Sequence, residues 1–337
     1  MNSLQIFSTR RSKGLFLAGL GAALTAALVV SLLIGSVKAD PRDIFAALLG
    51  RDRESTTARI ILYSRLPRTC AALLAGAALA VSGMVIQTVL NNPLASPSVI
   101  GVNSSAGFAV ALVCALFPTM QKHTPLIAFI GALAGVLLVM VLAQSTVAAR
   151  ITVVLAGVAI SNLFNAGIDA VVTLVPDALN SVTDFRIGGF TGVTMSQLAA
   201  PARIIAVSLV LLLTLSHQLD ILSLGTDTAK SLGLAVGRMR IVFLILAAAL
   251  AGAAVSFAGL LGFIGLIVPH IMRRLAGEDS GILLAATALG GAFFMVLCDL
   301  VARVLFSPFE IPVGIVLSFA GAPFFLWLLF RQRGGRV

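Results

Sequence analysis

The stretch TCAALLAGAALAVSGMVIQTVL, residues 69–90, contains no charged side chain, and runs of this kind recur along the whole chain. Crossing a bilayer as a helix takes about 20 predominantly apolar residues. Within lipid the backbone must satisfy its own hydrogen bonds, which leaves helices or a closed barrel. No run alternates with the period of two that a barrel strand needs. The expected fold is an all-α integral membrane protein. Composition agrees: 59% of the 337 residues are hydrophobic and 11% are charged, against roughly 25% charged in soluble domains.

Cutting the runs at polar residues gives about ten transmembrane helices. They cover residues 14–35, 69–90, 99–117, 125–142, 151–175, 201–219, 241–261, a short 262–275, 282–305 and 311–330. The first is longer than a signal-peptide core and reads as a retained span. All of 1–337 is expected to form one transmembrane domain, with a tail 1–13, a polar segment 222–240 and a second tail 331–337. An even number of spans puts both termini on one side. Three basic residues in each tail favour the cytoplasm, although seven basic residues between the first two spans pull the other way. DPRDIFAALLG, at 40–50, has the cap, proline and glycine of a short surface helix. LAGAALAVSG (74–83) and LAGAAVSFAG (250–259) echo each other in spans of opposite polarity. That pattern suggests an inverted internal repeat, or simply close helix packing through small residues.

The net charge of +10 belongs to loops and span ends facing water and anionic lipid, not to a nucleic-acid surface. Cys70, Cys114 and Cys298 lie apart within apolar runs, and three scattered histidines lack ligand spacing. No metal site and no disulfide framework are expected. HExxH and other catalytic clusters are also missing, so this chain is not expected to be an enzyme.

LSLGTDTAKSLGLAVGRMR, at 222–240, interrupts this hydrocarbon. Thr226 is expected as an N-cap, Asp227 suits the positive end of a helix, and Gly233 marks a stop. One or two helical turns follow from this, then a second small piece ending in VGRMR. So short a helix is marginal in water without a partner, and an ordinary polar loop is the alternative. There is no GxxxxGK[ST] loop, and none of the lysines follows a glycine. If transport is ATP-driven, nucleotide binds another polypeptide.

RLPRTCAALLAGAALAVSGMVIQTVLNNPLASPSVIGVNSSAG, IGGFTGVTMSQL, SLGTDTAKSLGL, GLLGFIGLIVPHIMRRLAGED and DLVARVLFSPFEIPVGIVLSFAGAPFFLWLL occur in that order over residues 65–329. Together they resemble the permease subunits of the iron-chelate, haem and cobalamin importers, the type II ABC importers. The resemblance implies ten spans per subunit and a second permease subunit, identical or paralogous. It also implies two ABC ATPase subunits carrying the ATP and magnesium, a periplasmic or lipid-anchored binding protein, and no cofactor on this chain. The location implied is the bacterial cytoplasmic membrane. By the same resemblance, 222–240 is the coupling segment that sits in a cleft of the ATPase, through Gly225, Thr226, Asp227, Ala229, Lys230, Leu232 and Gly233.

Further roles follow from the resemblance. Arg65, Arg68 and Arg303 are implied to dock the binding protein. Lipid-headgroup anchoring is the other reading for the first two, and Pro67 favours an extended turn between them. Asp299 stands four residues before Arg303, at ion-pair spacing on a helix. Asn162, Asn165 and Asp169 share a helical face in a span implied to flank the translocation path; bonding between helices is the alternative. Asn92 and Leu94 match a loop that narrows the cytoplasmic end of the path in the cobalamin permease, and a proline-rich turn explains them equally. The substrate expected is a ferric siderophore or similar chelate, with haem or cobalamin as alternatives in the family. An ion-coupled secondary transporter using Asp169 or Asp299 is the other class.

Overall fold

The computed structural model describes residues 10–34, 55–144, 150–307 and 309–333. Among them are thirteen α-helices: α1 Arg10–Leu33, α2 Thr56–Leu90, α3 Val102–Leu116, α4 Thr124–Gln144, α5 Arg150–Leu174, α6 Leu179–Ile187 and α7 Met195–Thr214, then α8 Ser216–Ser223, α9 Thr226–Ser231, α10 Val236–Ala258, α11 Ile264–Ala276, α12 Ser280–Val304 and α13 Val313–Arg333. No strand occurs among the described residues. Nine of the ten apolar runs each form one helix, and the sixth is divided between α7 and α8. Seven of these helices are long and apolar enough to cross a membrane, namely α1, α2, α4, α5, α7, α10 and α12. The surface helix expected at 40–50 lies outside the described residues, as do most of both tails.

α2 is the central post, buried over most of its length and packed on α10, α11 and α12. Small residues permit the close crossings. A methyl group added at Gly76 would overlap the Gly291 carbonyl of α12, and one added at Gly83 would overlap the Gly265 carbonyl of α11. In lipid this approach supplies dispersion contacts that hydrophobicity cannot, because the surrounding tails are equally apolar. The two halves of the echo motif lie on α2 and α10, which pack together, and Ser82 Oγ donates to the Ala247 carbonyl at 2.6 Å.

Pro67 does not produce the extended turn. α2 runs through it, with a π-helical turn at Ile61–Arg65 immediately before. Proline lacks an N–H and its ring crowds the preceding turn. A local widening of the hydrogen-bond register accommodates both, and single π turns are frequent at functional sites.

The expected sixth span, 201–219, is also revised. α7 stops at Thr214, and the chain breaks at Leu215 before α8. α6 is an element the run-by-run reading did not anticipate. Its end braces the non-helical stretch between α10 and α11: Leu260 N donates to the Phe185 carbonyl at 2.9 Å, and Gly189 N to the Ala258 carbonyl at 2.8 Å. Irregular backbone within a bundle is tolerated when protein groups satisfy it in this way. Phe263 enters α11 from the left-handed region at φ 64°, its ring against Gly321 of α13.

Candidate functional site

α9 is a six-residue helix set against the bundle by one small side chain. Ala229 is fully buried, whereas Lys230, Ser231 and Leu232 are exposed. Gly225, not Thr226, is the N-cap; Thr226 is the first helical residue. The reason is conformational, since Gly225 has φ 105° and ψ 163°, a combination open only to glycine. Gly233, at φ 82°, closes the helix as expected, and the Leu234 N–H returns to the Ala229 carbonyl at 3.0 Å. VGRMR is not a separate piece; it is the first turn of α10. Arg240 on that turn reaches toward Thr226 Oγ1 at 3.5 Å.

A cavity of about 250 Å³ opens beside this segment, lined by Gln87, Asn92, Ser223, Arg273 and Ser280 among others. Arg273 hydrogen-bonds Gln87 Oε1. The loop after α2 is an Asx turn: Asn92 Oδ1 accepts from the Leu94 N–H at 2.9 Å, after Asn91 in the left-handed region at φ 47°. Asn92 and Leu94 are both half-buried, and Asn92 lines the cavity. The side chain that caps this turn is therefore also the one expected at the narrow end of the path.

At the opposite end of α2 lie the three arginines expected to dock the binding protein. Arg65, Arg68 and Arg303 are all buried. Arg65 donates to the Leu32 and Leu33 carbonyls at 2.8 and 3.0 Å. Arg303 donates to the Ser31 carbonyl at 3.1 Å, to Ser31 Oγ, and to the Ile34 carbonyl at 3.3 Å. The last carbonyls of a helix have no partner within it, and they carry its negative end. Two guanidinium groups from other helices cap α1 in that way. Arg68 ion-pairs with Asp299 at 2.9 Å and with Glu310. The expected Asp299–Arg303 pair is present at 3.1 Å. Long apolar spans dictated that these charges be paired; their partners on α1 and the loop after α12 were not visible in a linear reading.

On α5, Asn162, Asn165 and Asp169 all lie on the exposed side of the chain. Of the three, Asp169 makes a bond to another helix of the chain. Asp169 pairs with Arg186 of α6 at 3.1 Å, both well exposed. Arg186 escaped the sequence reading because α6 itself did. Among the described residues no three His, Cys, Asp or Glu side chains come together as a metal site would need. His270 packs edge-on to Phe324.

Residues 23–331 match the FecCD transport family. The chain belongs to that family. A FecCD relative from Bacillus subtilis, the Fe(3+)-citrate import system permease protein YfmE, is 36% identical over 302 residues, covering 89% of this chain and 90% of the relative. The hemin transport system permease protein HmuU of Yersinia pestis is 36% identical over 317 residues, covering 92% and 95%. A solved inward-facing structure, described as a metal-chelate type ABC transporter, superposes with a TM-score of 0.84 at 31% identity, covering 94% of this chain and 99% of the other. As a FecCD protein the chain is a multi-span transport permease.

Proposed function

We propose that this permease forms half of the membrane channel of an ATP-driven importer, and that its cargo is a ferric siderophore or similar metal chelate, moved by alternating access. Its relatives named for ferric citrate and hemin support that cargo class. In this reading it sits in the bacterial cytoplasmic membrane with both termini cytoplasmic. A second permease copy or paralogue completes the channel, two ATPase subunits bind ATP and magnesium, and a soluble or lipid-anchored receptor delivers cargo from outside.

The observation that carries the reading is α9. A helix of six residues is marginal by itself, yet this one is set by glycines at both ends and offers Lys230, Ser231 and Leu232 outward. It is shaped as a handle. We assign ATPase coupling to Gly225, Thr226, Asp227, Ala229, Lys230, Leu232 and Gly233, the cytoplasmic gate to Asn92 and Leu94, and the path lining to Asn162, Asn165 and Asp169. Receptor docking is assigned to the far end, where Arg65, Arg68 and Arg303 brace α1, α2 and α12 beneath the docking face. Asp299, 1% exposed and paired with two guanidinium groups, is poorly placed to carry ions for a secondary transporter.

Reconstitution in proteoliposomes tests the reading. Uptake of iron-55, presented as ferric citrate and as a ferric tris-hydroxamate, should require the separate ATPase and ATP. Uptake driven by a proton gradient alone would refute it.

A further inference from the structure

Movement of α9 is useful only if it reaches the helices that line the channel, and α9 packs chiefly on α8 and α10. α8 is the limb between the end of α7 and the coupling helix. It is anchored by the fully buried Leu219 and Leu222, and it packs on α2 and α12. Among the described residues a polar bond crosses from it to the bundle. Asp220 Oδ1 accepts the backbone N–H of Ser280 at 2.9 Å, across 60 positions of sequence. Ser280 is the first residue of α12, and Asp279 before it caps the same helix end by accepting from the Ile282 N–H at 3.0 Å. The amino end of α12 is thus capped twice, once from its own chain segment and once from α8. A carboxylate is well suited to both positions, because free N–H groups and the positive helix end converge there.

α12 transmits whatever it receives. Its 25 residues make a rod of roughly 37 Å at 1.5 Å per residue. At its far end Asp299 and Arg303 grip α2 and α1. Beside the Asp220–Ser280 bond lies the polar cavity, with Ser223 of α8, Ser280 of α12 and Asn92 of the gate loop on its wall. On that side α8 meets open space instead of packed side chains.

We propose that Asp220 is a positioning residue that ties the coupling limb to α12, so that displacement of α9 moves α12 instead of pivoting α8 into the cavity. The proposal rests on the reading of α9 as the ATPase contact.

The bond can be cut from either side. Asp220→Ala removes the acceptor. Ser280→Pro removes the donor and suits the site: proline is favoured at the first helical position, and Asp279, at φ −60° and ψ 114°, has the extended backbone preferred before proline. Asp220→Asn keeps the acceptor oxygen. With the intact complex in proteoliposomes, the readout is iron-55 taken up per ATP hydrolysed, using ferric citrate or a ferric tris-hydroxamate, whichever the native complex imports. Asp220→Ala and Ser280→Pro should each lower that ratio by about fivefold or more, the double variant no further, and Asp220→Asn should stay near native. A contact that served only folding would reduce assembled complex, uptake and hydrolysis together, leaving the ratio unchanged. An unchanged ratio in both cuts, loss of assembled complex in both, or a loss in Asp220→Asn equal to that in Asp220→Ala overturns the proposal. Lys230→Glu in α9 separates the two levels. If it leaves ATPase retention and uptake intact, the coupling reading itself fails. If it abolishes them while the cuts keep the native ratio, only the tether is wrong.

Discussion

Arg68 on α2 donates from Nε to Oδ1 of Asp299 on α12 at 2.9 Å, 231 positions away in sequence and almost completely shielded from solvent. The same carboxylate faces Arg303. One buried anion therefore serves two buried cations, and Glu310 at the rim supplies the second negative charge. Removing one partner of such a pair leaves an uncompensated charge, a change that typically costs about 3–5 kcal/mol. Asp299→Ala should therefore unfold at markedly lower temperature in detergent, and Glu310→Gln, acting on a part-exposed partner, should shift it far less. Equal shifts in the two variants would show that the cluster is not organised around Asp299.

Arg303→Lys gives a more selective expectation. A guanidinium can reach Asp299 and the Ser31 and Ile34 carbonyls together, whereas an ammonium is a single point charge without the planar fork. The end of α1 should lose protection while the rest of the bundle keeps it. Hydrogen exchange over residues 30–34, compared with α2, reads this directly. Native protection there would mean that Arg65 alone caps α1.

Helix crossings offer a sharper contrast. Gly83→Ala places a methyl group on the Gly265 carbonyl, where backbone must shift; Gly19→Ala in α1 meets nothing within 4 Å. Overpacking of a close crossing typically costs about 1–3 kcal/mol, while alanine for glycine in an open helix position gains roughly 0.5–1 kcal/mol. Opposite signs in thermal unfolding are expected from the same chemical change.

The coupling helix separates its two glycines by backbone region. Gly233 at φ 82° lies near left-handed helix, which asparagine tolerates, but Gly225 at φ 105°, ψ 163° lies where only glycine is at ease. Neither has an atom within 4 Å of an added Cβ, so strain acts without a clash. Gly233→Asn should retain ATPase on the purified complex better than Gly233→Ala. Gly225→Asn and Gly225→Ala should be equally poor, each strained by about 1–3 kcal/mol.

Much of this molecule is legible in its sequence because lipid imposes length and apolarity, and those survive a residue-by-residue reading. Nine of the ten runs each became one helix, the sixth was divided between α7 and α8, and Gly233 ended α9 where its chemistry required. The misses share a cause: they depend on what lies across the bundle. Pro67 looked like a break because the π turn that absorbs it leaves no residue signature. The capping of α1 by Arg65 and Arg303 was hidden because the carbonyls they bind are backbone groups, identical at every position, and Arg68 meets Asp299 231 positions away. Asp220 carried no motif at all, since its partner is also a backbone N–H. α6, short and mildly polar, fell below any span criterion, and Arg186 was lost with it.

That omission matters most for α5. Asp169 and Arg186 pair at 3.1 Å with both side chains about half or more exposed, and exposed pairs contribute roughly 0–1 kcal/mol to stability. The fold therefore has little need of them. A charge in a membrane helix is costly unless it meets water or an opposite charge, and under the proposed path lining the open face that carries this pair borders the path. Asp169→Ala and Arg186→Ala should leave the unfolding temperature nearly unchanged yet alter the rate of iron-55 uptake. The effect should depend on the charge of the chelate, because the two substitutions change the local charge in opposite directions. Anionic ferric citrate should gain from Asp169→Ala and lose from Arg186→Ala relative to a neutral ferric tris-hydroxamate. Identical effects on both chelates, or a stability loss matching the transport loss, would remove this pair from the path.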